Sequence, residues 1–162
     1  MTDISTDHQR IREVISIAKN AAFKGNRPFG ALLVGADGTT LAQAENSQAT
    51  DRQVLAHAEM NLLHNAVQQF DNDVLKGATL YTSAEPCAMC AGALFWSGIG
   101  RLVYGLSNQR LHQIHGATTR MLDVNAVDVL ARAGRNVEIV GPVLEEEAAT
   151  IHTSIQKIKG QV

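Results

Sequence analysis

The chain has 162 residues, 45% of them hydrophobic and 19% charged, with a formal net charge of −2 and a pI near 6.3. That length suits one domain burying its own core, and the near-neutral balance without a Lys/Arg cluster makes a nucleic-acid partner unexpected. No apolar run reaches the length of a membrane span, and the polar first ten residues lack the basic-then-apolar layout of a signal peptide, so no membrane contact and a cytoplasmic address are expected.

Ile11, Val14, Ile15, Ala18 and Ala22 recur at helical spacing before Gly25, which predicts a helix over 7–24. Residues 31–34 and 40–44 are two candidate strands joined across Asp37-Gly38, a strong hairpin signal. Met60, Leu62, Leu63, Ala66 and Val67 predict a buried helix from 57 to 70. Gly77 leads into a core strand over 78–82. After Pro86, residues 87–96 read as a helix closed by Ser97-Gly98. Strands follow at 101–106 and 137–140, with a helix over 123–133 before the last strand and another over 144–158 after it. The stretch 107–122 has no clear period and is read as a loop with at most a helical turn. No repeat, low-complexity tract or linker divides the chain, so residues 1–162 form one domain. A hairpin followed by strand–helix alternation predicts an α/β fold, a three-layer α/β/α sandwich around a mixed five-stranded sheet.

Two short strings carry the chemistry: His57-Ala58-Glu59 and Pro86-Cys87-Ala88-Met89-Cys90. Each lies at a predicted helix start, where the macrodipole and unpaired backbone N–H groups stabilise a thiolate. Cys87 and Cys90, three apart, share one side of their helix, so both sulfurs can reach one ion. With a nitrogen from His57 they make three protein ligands, which leaves the fourth position of a tetrahedral zinc open, as a catalytic site requires. One Zn²⁺ per chain is expected. Glu59 sits close enough to share the site without being a ligand and is the candidate proton shuttle. A Cys-x-x-Cys pair alone also fits a redox couple or half of a structural zinc site. The absence of a second such pair, and the His-x-Glu string upstream, favour the catalytic metal.

With both strings in place, the chain resembles the cytidine-deaminase-like superfamily of zinc deaminases from about residue 11 to 158. It is similar to the branch holding guanine deaminases, cytosine deaminases and tRNA adenosine deaminases. The run from Thr82 to Ala93 carries that likeness across the branch, and Arg27-Pro28-Phe29-Gly30-Ala31 resembles the guanine deaminases in particular. The resemblance implies a five-stranded sheet between helices, with the last strand parallel to its neighbour. It implies that Asn46 contacts the base, and Phe29 counts among the substrate-binding positions. Backbone N–H groups near Ala58 and Cys87 are suited to stabilise developing negative charge. Trp96 is read either as a core aromatic or as a pocket wall stacking on a base, and Glu85 either as a carboxylate near a helix dipole or as a reader of the substrate's amino group. Guanine deaminases usually carry an acidic residue after the fourth strand, and Gly105-Leu106-Ser107-Asn108-Gln109-Arg110 has none. His112 and His115 read as a solvated surface pair, His64 as a plain surface or packing residue, and Glu145-Glu146-Glu147 as a solvated helix start.

The expected activity is hydrolytic deamination of a small nucleobase or nucleoside, with water as co-substrate and ammonia released. Guanine or a related purine comes first and cytosine next. The alternatives are tRNA adenosine deamination, disfavoured by charge, and a non-catalytic zinc-stabilised interaction module, disfavoured by Glu59. A homodimer is expected from the resemblance and from the apolar run Ala93-Leu94-Phe95-Trp96.

Overall fold

The computed structural model describes residues 4–116 and 122–159. In chain order the elements are α1 (Ile4–Phe23), β1 (Gly30–Val34), β2 (Thr40–Glu45), α2 (Ala58–Gln69), α3 (Asn72–Gly77), β3 (Thr79–Ala84), α4 (Ala88–Ser97), β4 (Arg101–Leu106), α5 (Asn108–His115), α6 (Ala126–Leu130), β5 (Glu138–Val140) and α7 (Glu145–Lys159). The strands form one sheet in the order β2-β1-β3-β4-β5. β1 pairs antiparallel with both β2 and β3, and β3, β4 and β5 run parallel. The expected fold class, including the parallel last strand, is present.

Period-two alternation along the central strands feeds two separate cores. Ala31, Leu33, Leu80, Leu102 and Tyr104 pack under α2, α4 and α6. Leu32, Val34, Tyr81, Val103 and Leu106 pack under α1 and α7 with Ile11, Val14 and Ala148. These strands read as continuous apolar runs because both faces are covered. Burying each such aliphatic side chain is worth roughly 1.5–3 kcal/mol. β1 approaches α1 so closely that a Cβ at Gly30 would lie 2.6 Å from the Val14 carbonyl oxygen. Across β3 and β4 a polar tie joins the layers. Asp7 accepts hydrogen bonds from Arg101 at 2.8 Å and 3.0 Å and from the Tyr81 hydroxyl at 2.8 Å. Burial opposes ionisation of Asp7, and the bonds from Arg101 and Tyr81 outweigh it to hold its pKa below the usual value.

Three elements differ from the sequence expectation. The stretch read as a loop contains α5, a helix of two turns, started by Ser107, whose side chain accepts from the Arg110 backbone N–H. Its residues 117–121 lie outside the described residues. α5 buries only Leu111 and Asn108, too few positions to print an apolar period. α3 was not foreseen for the same reason, since Leu75 is its one buried residue. α6 is shorter than expected, because a capping box between Asn125 and Asp128 delays its start.

The register decides where function can sit. Gly30 lies opposite Glu45, Ala31 opposite Thr82, and Ala84 opposite Leu106. The residues just beyond these pairs, Phe29, Asn46, Glu85 and Ser107, therefore gather at one end of the sheet. It is the carboxyl end of the parallel strands, where open α/β sheets hold their ligands.

Candidate active site

Two helix N-termini meet at that end. His57 caps α2 and Cys87 caps α4, both with extended backbone and neither with a side-chain cap bond. Both side chains are left to face one another. Asn61, on the first turn of α2, donates to the Glu45 carbonyl at 3.0 Å and to the Ser47 hydroxyl at 3.0 Å, which docks the helix start beside the end of β2. Cys90, one turn into α4, is buried.

The three donor atoms form a nearly equilateral triangle. His57 Nδ1 lies 3.7 Å from Cys87 Sγ and 3.5 Å from Cys90 Sγ, and the two sulfurs are 3.6 Å apart. A tetrahedral zinc with Zn–S about 2.3 Å and Zn–N about 2.05 Å needs edges of about 3.6–3.8 Å. The residues fit the ion in size and in donor chemistry. Protonation points the same way. A hydrogen bond from Cys90, with another from His57, pulls the Cys87 thiol down to about 4 against the effect of burial. Cys90 is pushed up by the sulfur beside it and by burial. His57 is raised, chiefly by its bond to Cys87. A sulfur anion with shared protons around it is what a divalent cation displaces on binding.

Glu59, the second residue of α2, is 6% exposed. Burial raises its carboxyl to about 7; its own backbone N–H and His57 pull the other way. A carboxyl poised near neutrality beside the donor triangle suits proton transfer in either direction.

His57, Cys87 and Glu59 line a cavity of about 940 Å³ that also takes in Phe29, Asn46 and Glu85, while Cys90 is buried beside it. Asn46 is 1% exposed, donates to the Gln48 side chain at 3.0 Å and accepts from the Gln48 backbone at 3.2 Å. Its backbone N–H donates to the Phe29 carbonyl at 3.0 Å, tying two cavity residues together. Asn26, which the sequence reading passed over, accepts from the backbone of Ala49 and Thr50 and so shapes the loop beneath Asn46. Ala58 is fully buried, and its side chain is absent from the described lining.

Trp96 takes neither expected position. It is 84% exposed, stacks edge-on against Phe95, and does not line the cavity. Six residues beyond Cys90 at 100° each, it points away from the face that carries Cys90 and Leu94. Glu85 does line the cavity, but both its oxygens are engaged, accepting from the backbone of Asn108 at 2.9 Å and of Ala126 at 2.9 Å. It thus holds the first backbone N–H of α5 and of α6, beside their caps Ser107 and Asn125. Glu145 likewise accepts from the Ser107 backbone at 3.0 Å, so it anchors a loop rather than standing free in solvent. His112 and His115 are half-buried, not a solvated surface pair, and His115 reaches a buried histidine on α7. His64 is exposed as expected.

A mixed sheet between helices, with a Cys₂His triangle and a buried carboxyl at the carboxyl end of its parallel strands, defines a zinc hydrolase of nucleobase-deaminase type. The comparisons agree. Residues 4–106 match the model described as the cytidine and deoxycytidylate deaminase zinc-binding region, and the chain belongs to that family. It is 38% identical over 144 residues to a probable cytosine deaminase of Schizosaccharomyces pombe, covering 88% of this chain and 87% of that one. To a tRNA-specific adenosine deaminase of Bacillus subtilis it is 35% identical over 144 residues, covering 89% and 84%. Its fold is similar to a solved complex with 2,6-diaminopurine, with a TM-score of 0.80, 25% identity and coverage of 96% and 84%. The protein is an enzyme of this zinc-dependent, hydrolytic class.

Proposed function

We propose that the protein deaminates a small nucleobase or nucleoside, guanine or a related purine first and cytosine next. The observation that carries the reading is the buried carboxyl of Glu59 beside the His57, Cys87 and Cys90 triangle in a cavity of about 940 Å³, ample for a purine. His57 Nδ1 and the two sulfurs would hold the zinc, which would supply Lewis acidity to make water a nucleophile near neutral pH. Glu59 then has the proton work. Its carboxylate takes one proton of the attacking water and delivers it to the ring nitrogen next to the amino-bearing carbon; it then takes the proton of the newly added hydroxyl and passes it to the amino group, so that the C–N bond breaks as the carbonyl forms and ammonia leaves. Asn46, with one amide hydrogen and one lone pair beyond its bonds to Gln48, orients the ring, and Phe29 packs against it. The backbone N–H groups at Ala58 and Cys87, at two helix starts, favour the charge that develops on the ring.

The purine preference is supported by the string Arg27 to Ala31 and by the bound 2,6-diaminopurine of the similar structure. A second reading, deamination of adenosine in tRNA, is supported by the 35% identity to the Bacillus subtilis enzyme. A cytoplasmic homodimer is part of the proposal, with the exposed Trp96 at the end of α4 as its contact; no described helix is long and apolar enough to cross a membrane. Ammonia release from guanine, adenine, cytosine, isocytosine and their nucleosides, beside inosine formation in tRNA, tests the whole reading. Release from none of the bases or nucleosides, with inosine formed in tRNA, would replace the first reading by the second.

A further inference from the structure

His152 on α7 is 1% exposed yet belongs to the wall of the same cavity as Glu59. Its ring is held from two sides. His115, from α5, meets it edge-on with ring centres 5.2 Å apart, and His115 Nε2 lies 3.0 Å from His152 Nδ1. Phe29 packs on it at 5.2 Å with the rings tilted by 50°. Burial, with His115 and Arg27 nearby, holds its pKa down to about 3, so the ring is neutral. A neutral imidazole has one N–H and one acceptor nitrogen. Nδ1 is engaged by His115, and Nε2 has no hydrogen-bond partner among the described residues. That nitrogen is not among the buried side-chain atoms sealed in without a partner, and His152 lines the cavity, so a ring fixed this firmly with one open nitrogen reads as a binding group.

We propose that His152 is a specificity-determining residue whose Nε2–H donates to a ring carbonyl of the substrate, with His115 donating its Nε2–H to Nδ1 and thereby fixing that tautomer. With Nδ1 accepting from His115, the one N–H of the neutral His152 ring lies on Nε2, on the side of the cavity. The substrate class that follows is an oxo-amino heterocycle, such as guanine, cytosine or isocytosine, rather than adenine or adenosine. The inference rests on the deaminase reading above and narrows it.

The test compares wild type, His152→Phe and His152→Gln on guanine and cytosine, each beside the analogue without its ring carbonyl, 2-aminopurine or 4-aminopyrimidine, followed by turnover or by inhibition. For the oxo base, His152→Phe should lower kcat/KM by roughly 10- to 100-fold, mostly through KM, as expected for one buried hydrogen bond. For the analogue it should change by less than about threefold, and zinc content should stay the same. His152→Gln, which keeps an N–H donor, should recover part of the loss. A second measurement leaves His152 intact, so it decides even if the Phe variant does not fold. In ¹⁵N-histidine-labelled Glu59→Gln protein, adding the oxo base should move the His152 ring-nitrogen resonances. An equal loss on base and analogue, no loss on either, or unmoved resonances at saturation would overturn this inference alone. Wild-type protein that releases ammonia from no base overturns the deaminase reading and this inference with it.

Discussion

Replacing Glu59 by Gln separates proton transfer from everything else the site does. The amide keeps the size and most of the hydrogen bonds of a side chain that is 6% exposed, so packing at the start of α2 should persist. What it loses is the ability to accept the water's proton. General acid–base groups contribute roughly 10²–10⁴-fold, and a group serving successive proton transfers belongs at the upper end, about 5 kcal/mol of barrier. Stability supplies an independent check. In metal-stripped protein the Glu59 carboxyl stands at about 7 against 4.5 when free. A raised carboxyl favours the folded state below the free value and loses that advantage as pH climbs through the folded value. Cys87 and His57 also titrate and feel the Glu59 charge, so the difference between variant and wild type reports Glu59 together with its electrostatic pull on them. The two should be equally stable below about pH 4, with Gln gaining between pH 4.5 and 7 to a plateau of roughly 3 kcal/mol. Steady-state kinetics on the base that the ammonia screen selects, zinc content of the same samples, and denaturant melts from pH 4 to 8 make the measurement. A zinc-loaded Glu59→Gln protein with near wild-type turnover would refute the proton-shuttle role. A stability difference that does not change with pH would refute the buried, raised carboxyl.

Elemental analysis should find one zinc per chain, and Cys87→Ser or Cys90→Ser should lose it together with thermal stability, because the ion ties the starts of α2 and α4 together. Arg101→Met strands the Asp7 carboxylate, which also accepts from Tyr81 in the α1 core, and should cost roughly 3–5 kcal/mol in urea melts while zinc content stays the same. A cost below about 1 kcal/mol would show that the tie contributes little. Light scattering at micromolar concentration should give a dimer, and Trp96→Glu should weaken it; wild-type protein that is only monomeric removes the dimer proposal.

What the sequence by itself determined is local. The metal donors occupy two strings of a few residues, so their spacing and the adjoining helix starts were legible without any knowledge of the fold. The hairpin at Asp37-Gly38 and the apolar runs of β1, β3 and β4 were legible for the same reason: turn chemistry and burial on both faces leave marks within a few residues. Strand order had to come from the family resemblance, since no local pattern encodes which edges pair. Other features belong to tertiary structure alone. Glu85 holds the starts of α5 and α6 from 23 and 41 residues away, and His152 meets His115 across 37. A histidine on an apolar helix face looks the same in sequence whether it packs inertly or faces a cavity. Trp96 reads in sequence as core or as pocket wall because its neighbours are apolar, yet it is exposed, since a helix turn decides direction by angle and the apolar run of α4 goes all the way round. Chemistry was readable wherever ligand and partner are close in the chain; where hydrogen bonds and packing join residues tens of positions apart, only the folded backbone brings them together.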